Sequence, residues 1–226
     1  MTAMSVKQHD NLQAGQQSLA NVAIWRVPLG FILAGFSILV TATAVKAIGE
    51  TFDANAFPEA LAIKLEALPL IFPVHMFAGG MALMLVPVVL LLRGTRWHRW
   101  AGRVAAADVL IAGATAVPVA LTYPVTPWAA AGFSAQGLLW ITLLGIGVWS
   151  IRNGRVRSHQ KAMLLMAAVT SGAVFFRIYL ALWAIYGSHR YFTTFYSCDA
   201  WMAWGLPFLA MLAITMKKGS RVATLS

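Results

Sequence analysis

Apolar stretches of about 20 residues recur along this chain, and they constrain its fold more than any other feature. An α-helix rises ~1.5 Å per residue, so a stretch of this length spans the ~30 Å hydrocarbon core of a bilayer. Six such stretches lie at Ile24–Ile48, Leu70–Leu92, Trp100–Tyr123, Gly132–Ile151, Lys161–Gly187 and Asp199–Met216. They predict an all-α, polytopic integral membrane bundle of six transmembrane helices.

The composition favours the same class of protein. Hydrophobic residues make up 60% of the chain and charged residues only 11%, which leaves too little polar surface to cover a water-soluble globule. We expect a disordered cytoplasmic tail over residues 1–20, a six-helix domain over 24–216 and a short basic tail over 217–226. The first helix is predicted to be an uncleaved signal anchor. Between the first two stretches, Leu61, Leu65 and Leu68 recur at helical spacing and predict a helix along the membrane surface.

The charges predict how the bundle is oriented. The chain has 17 Lys and Arg against 7 Asp and Glu, a formal net charge of +10. Cytoplasmic ends and loops are enriched in basic residues, so an N-in and C-in topology in a bacterial inner membrane fits this chain. That topology places most basic residues inside: Lys7, Arg26, Arg93, Arg96, Arg99, Arg103, Arg152, Arg155, Arg157, Lys161, Lys217, Lys218 and Arg221.

The same basic loops define the expected partners. They are short and lie beside helix ends, so contact with anionic lipid head groups explains them and nucleic-acid binding is not expected. A protein partner or an oligomer is not indicated by any pattern in the sequence.

Ionisable side chains inside the predicted helices are candidate functional residues, because a charge within the bilayer costs several kcal/mol. His75 is predicted ~9 Å deep and Arg177 ~15 Å deep from the outer face. Gln136 belongs to the same layer, so an outer polar cluster is predicted. Asp108 lies nearer the inner face, where an ion pair or a solvated vestibule explains it. As purely structural groups, His75 and Arg177 would hydrogen-bond between helices.

A second layer of histidines is predicted at the inner face. His98 and His159 each precede an ascending helix and so share a depth. Two imidazoles at matched depth on different helices are the ligand set of a six-coordinate haem b, and glycine four residues after His75 and His98 leaves room for a porphyrin. The single cysteine, Cys198, excludes an internal disulfide or a multi-cysteine metal site.

Three functions stay open at this point. The first is a haem- or metal-binding membrane redox protein with His98, His159 and His75 as candidate ligands. The second is a small transporter or proton-coupled carrier that uses His75, Asp108 and Arg177. The third is a non-catalytic helical subunit of a membrane complex. No motif of a known catalytic site is present, so an enzymatic activity is neither predicted nor excluded.

Several segments of this chain resemble a known family. They are His75 within its helix, HRWAGR at His98–Arg103, GFSAQGLLW at Gly132–Trp140, RSHQKAM at Arg157–Met163, Arg177, and the aromatic pair Trp201 and Trp204. Together they resemble a bacterial family of predicted membrane proteins catalogued as domain of unknown function 2306. Its members have a more basic and aromatic stretch where this chain has Gln160, Lys161 and Ala162. The resemblance implies an integral membrane protein and leaves the activity open.

Overall fold

The computed structural model describes residues 59–223 continuously, with side chains from 61 to 216, and pairs of residues between 38 and 49. Most of the first predicted transmembrane helix, Ile24–Ile48, therefore lies outside the described residues. The predicted tail at residues 1–20 and the last three residues also lie outside them. The chain divides into one unit that ends at Leu39 and a second that begins at Val40 and contains all the helices from residue 59 onward.

Every regular element from residue 59 onward is helical. In chain order these are α1 (Glu59–Ala67), α2 (Ile71–Leu91), α3 (His98–Leu121), α4 (Pro127–Arg152), α5 (Val156–Tyr186), a 3-10 turn at His189–Tyr191 and α6 (Phe192–Ala223). Five of these segments, α2 to α5 and residues His189–Met216, are long and apolar enough to cross a membrane. The all-α membrane fold is confirmed, and α1 is the short helix predicted in the first loop.

The helices form a bundle with α4 at its centre. Helix α4 packs against α3, α5 and α6, while α2 packs against α3 and α5. Small residues allow the closest approaches: a Cβ on Gly113 of α3 would meet the Gly137 carbonyl oxygen of α4 at 3.2 Å. Such contacts replace the hydrophobic driving force that helices lack in lipid. The two ends of this bundle differ, and we name them the cavity end, where α4 begins, and the histidine end, where α3 begins.

Three helices begin earlier than the hydropathy predicted. Helix α4 begins at Pro127, because Thr126 Oγ1 accepts a hydrogen bond from the Ala129 amide (3.0 Å) and proline suits the first helical turn. Helix α5 begins at Val156 instead of Lys161, and α6 at Phe192 instead of Asp199. The polar residues in these first turns lower the mean hydropathy without stopping the helix. His159 and Asp199 therefore lie within helices and not at their beginnings.

An apolar core fills the middle of the bundle. Its buried residues come from α2, α3, α4 and α5: Ala78, Ala82, Val86, Val109, Ala112, Trp140, Leu143, Leu144, Leu165, Met166 and Val169. Pro87, Pro118 and Pro207 lie inside α2, α3 and α6. This core separates the polar groups at the two ends.

Candidate functional site

A cavity of about 460 Å³ lies at the cavity end of the bundle. All five long helices line it, together with α1 and Lys46. Its volume falls in the range of about 300–1,000 Å³ that small-molecule sites occupy. The cavity is therefore large enough for an organic molecule of modest size.

Cationic and polar side chains line this cavity. His75, Gln136 and Arg177, which the sequence assigned to one outer cluster, all contribute to its wall, as do Lys46 and Lys64. None of the described residues that line it is Asp or Glu. The wall is otherwise apolar or aromatic, so its charges favour an anion with an apolar body.

The orientation of His75 is fixed by α3. Its Nδ1 lies 3.1 Å from the Ala112 carbonyl oxygen and 3.2 Å from Thr115 Oγ1. A carbonyl oxygen only accepts, so Nδ1 carries the hydrogen and Nε2 has the free lone pair. One turn along α2, a Cβ on Gly79 would meet nothing within 4 Å. Gly79 also lines the cavity, so there is open space beside the imidazole.

Hydrogen bonds between α4 and α5 form the floor of the cavity. Trp140 Nε1 donates to Thr170 Oγ1 (3.0 Å), which itself donates to the Met166 carbonyl oxygen (2.9 Å). Gln136 Nε2 donates to the Val169 carbonyl oxygen (3.2 Å). The bonds from Trp140 and Gln136 join α4 to α5, so they hold the two helices together beneath the cavity.

Arg177 lies above this floor on α5. Arg177 is exposed, lines the cavity, and donates from Nη1 to the Ala173 carbonyl oxygen one turn earlier (3.0 Å). Beside it, Phe133, Phe176 and Tyr196 pack edge to face, with ring centroids 5.2 to 5.9 Å apart. A cation next to an aromatic wall is suited to an anion that carries an aromatic or aliphatic group.

Lys64 closes the cavity from α1, and the sequence analysis did not select it. Its Nζ donates to the carbonyl oxygens of Val119 (2.9 Å) and Thr122 at the end of α3. Carbonyls in a last helical turn lack intrahelical donors, and a cation there also complements the helix dipole. Burial lowers the pKa of Lys64 from its usual value. The signal was present, since Leu61, Leu65 and Leu68 place Lys64 on the inward face of α1.

The histidine end is arranged differently. His98 Nδ1 lies 3.0 Å from the Val89 carbonyl oxygen of α2, and His159 Nδ1 lies 2.9 Å from the Gly147 carbonyl oxygen of α4. Each imidazole is thus held by a different helix. Neither His98 nor His159 lines the cavity, and Met163 packs against Gly147 beside His159. His189 is exposed in the 3-10 turn.

Two aspartates have buried carboxyl oxygens without hydrogen-bond partners. Asp108 on α3 is half-buried, and its Oδ2 is buried with no partner, so the expected ion pair does not engage this oxygen. Asp199 on α6 is 2% exposed, and neither of its oxygens has a partner. The sequence analysis used Asp199 only as a helix boundary and missed it as a candidate. Among the described residues, no group of three His, Cys, Asp or Glu could hold a metal ion.

Comparison with known proteins finds a match to one family. The model of DUF2306, described as a predicted membrane protein, matches residues 72–215. No curated protein and no solved structure matches the chain. The matched region contains α3, α4 and α5 whole and most of α2 and α6, and with them His75, Gln136 and Arg177.

Proposed function

Because this chain belongs to the predicted membrane protein family DUF2306, we propose that it acts within the bilayer by binding a small organic anion in the cavity between α2 and α6. This is the binding step of the small carrier that was the second of the three functions left open by the sequence, with His75, Asp108 and Arg177 as its residues. Asp108 is not part of it, because Asp108 does not line the cavity.

The charge of the cavity wall carries this proposal. Three cationic side chains, Lys46, Lys64 and Arg177, line about 460 Å³ together with an imidazole and no described carboxylate. Ionisable groups within a membrane bundle are costly and mark the paths of substrates and ions. An anion with a carboxylate or phosphate group, and an apolar body against the Phe133 and Phe176 rings, matches both parts of the wall.

Isothermal titration of the purified protein in lipid nanodiscs tests the proposal. Benzoate and phenyl phosphate should bind, whereas benzyl alcohol, which has the same ring and no charge, should bind more weakly. Replacing Arg177 with Gln should weaken benzoate binding about tenfold to a hundredfold, because a hydrogen bond to a charged group contributes about 1.5–3 kcal/mol.

The matched control is Arg190→Gln. Arg190 lies at the same end of the bundle, is exposed over the Tyr191 ring and does not line the cavity. Equal losses in the Arg177 and Arg190 variants, or equal binding of benzoate and benzyl alcohol, would rule out an anion site in this cavity.

A second candidate function is histidine ligation of a haem or a metal. It is favoured by one observation: His75, His98 and His159 all have Nδ1 on a backbone carbonyl, which leaves Nε2 as the ligating nitrogen. A bound haem would supply a one-electron redox couple. Only His75 of the three lines the cavity, so the predicted pair of His98 and His159 has no shared space there. Protein purified from haem-replete cells would show a Soret band that His75→Ala removes, whereas colourless protein would argue against this function.

We also propose the placement in the membrane that the charges predicted. The histidine end, with Arg93, Arg99, Arg155 and Arg157 near it, faces the cytoplasm of a bacterium and contacts anionic head groups. The cavity end then faces outward. A reporter that fluoresces only in the cytoplasm should be fluorescent when fused after Ser226 and dark when inserted at Ser188. The reverse pattern would invert the topology.

A further inference from the structure

We infer that Asp199 binds a proton in step with the anion, so that the cavity takes up an anion and a proton together. This inference rests on the proposed anion site and extends it, because it names a second ion and the residue that holds it.

The burial of Asp199 is the first observation. The residue is 2% exposed, and neither Oδ1 nor Oδ2 has a hydrogen-bond partner. An ionised carboxylate in such a place loses its hydration without compensation, whereas a protonated one is neutral. Buried carboxyl groups within membrane bundles serve as proton sites for this reason.

The position of Asp199 on α6 is the second observation. Tyr196 and Ala203, three residues before and four residues after it, both line the cavity, so Asp199 lies on the cavity face of its helix. On either side of Asp199 along α6, an aromatic residue contacts α5. The Tyr196 ring packs against Phe176 (5.4 Å), and Trp204 packs against Gly172. Asp199 lies between these two contacts along α6 and does not itself line the cavity, so we place it behind the cavity wall.

The elements that pack against α6 carry several ionisable groups and, among the described residues, no other carboxyl group. Helix α6 packs against α5, α4 and the 3-10 turn. Helix α4 has no ionisable side chain except Arg152 at its far end. The others at this end of the bundle are Arg177, Tyr179 and Tyr186 of α5, His189, Arg190 and Tyr191 of the turn, and Tyr196 and Cys198 of α6 itself. Asp199 is the carboxyl group among them.

The direction of the coupling follows from charge. An ionised Asp199 behind the wall repels an anion in the cavity, and a protonated Asp199 does not. Anion binding therefore favours the protonated form, and by linkage protonation favours anion binding. Above the pH at which Asp199 loses its proton in the empty site, the affinity for the anion should fall as the pH rises. Because one proton is coupled to binding, this fall is at most about tenfold per pH unit.

The test is titration of benzoate into wild-type protein and Asp199→Asn in nanodiscs, from pH 5 to pH 9. Asparagine has the shape of a protonated aspartate and cannot ionise, so this variant should keep the low-pH affinity and lose the fall at higher pH. Asp108→Asn, which removes the other partly buried carboxyl group, should keep the wild-type profile. If the benzoate affinity of Asp199→Asn still falls as the pH rises, the inference is overturned. If His75→Gln is instead the variant whose affinity no longer depends on pH, the proton binds to His75.

Proton uptake by the wild-type protein gives a readout that needs no variant. Titrations in two buffers of different ionisation enthalpy should report up to one proton taken up per benzoate bound. Binding without uptake at any pH in this range would overturn the coupling and leave the anion site intact. Absence of benzoate binding at every pH would instead overturn the proposed function, and with it this inference.

Discussion

Histidines at the two ends of this bundle make the same kind of hydrogen bond, but the space and the charged groups around them differ. At both ends an imidazole Nδ1 donates to a carbonyl of a neighbouring helix, as His75 does to Ala112 and His98 to Val89. At the cavity end the imidazole adjoins open space and cationic groups; at the histidine end it does not line that space. A hydrogen-bonded histidine within the bundle is therefore a candidate ligand-binding residue only where there is open space beside its imidazole.

The largest expected effect concerns the packing that surrounds the cavity. In Gly132→Ala the new Cβ would meet the Ala200 carbonyl oxygen of α6 at 2.9 Å, and backbone there cannot move aside easily. We expect a loss of about 1–3 kcal/mol in the free energy of unfolding. Thermal unfolding in detergent measures it as a lower midpoint.

Gly79→Ala is the matched change at the same end of the bundle, on the cavity wall. Its Cβ meets nothing within 4 Å, and alanine favours a helix over glycine by about 0.5–1 kcal/mol. We expect an unchanged or higher unfolding midpoint together with altered benzoate affinity, because the methyl group enters the cavity beside His75. If Gly79→Ala were as destabilising as Gly132→Ala, the space beside His75 would not exist.

His98→Ala sharpens the contrast between the ends. It removes the hydrogen bond to the Val89 carbonyl oxygen in the last turn of α2, so the free energy of unfolding should fall by about 0.5–1.5 kcal/mol. Benzoate affinity should not change, because His98 lies outside the cavity wall. His75→Ala should do the opposite and weaken benzoate binding. A His98 variant with the binding defect of the His75 variant would break the comparison.

The smallest expected effect is the contribution of Lys64 to the pH dependence of the free energy of unfolding. Burial lowers the pKa of its ammonium group from 10.5 in the folded protein. Between that lowered pKa and 10.5 the unfolded chain binds more protons, so the stability attributable to Lys64 should rise with pH in this window. Lys64→Met should lack this rise, and it should also lose the hydrogen bonds to Val119 and Thr122. The free energy of unfolding of the wild-type protein minus that of Lys64→Met, measured from pH 8 to pH 10.5, gives this contribution. A difference that falls as the pH rises would contradict the burial of the ammonium group.

The membrane fold could be predicted because hydropathy is local. Each of the last five predicted helices corresponds to a helix of the structure, and Leu61, Leu65 and Leu68 marked α1. The boundaries were less predictable. Helix α6 begins seven residues before Asp199, because Ser197 Oγ bonds to the Thr193 carbonyl oxygen (2.8 Å) and the polar turn remains helical.

The candidate site could be predicted in part. Depth alone grouped His75, Gln136 and Arg177, and the structure places all three on one cavity. Depth also grouped His98 and His159, but hydrogen bonds hold them against different helices. Lys64 was missed because a sequence does not show that the inward face of α1 contacts the end of α3. Asp199 was missed because hydropathy placed a helix boundary at a residue that lies two turns inside α6.

By itself, then, the sequence determined that this chain belongs in a membrane and predicted a depth for each polar residue, because both inferences use only the composition within about 20 residues. Only the tertiary structure decided which of these residues share a space. That depends on how closely helices cross, which contacts such as Gly113 with Gly137 and Gly132 with Ala200 set between segments far apart in the chain. The same crossings leave an open, cationic cavity at one end of the bundle and bury Asp199 behind its wall.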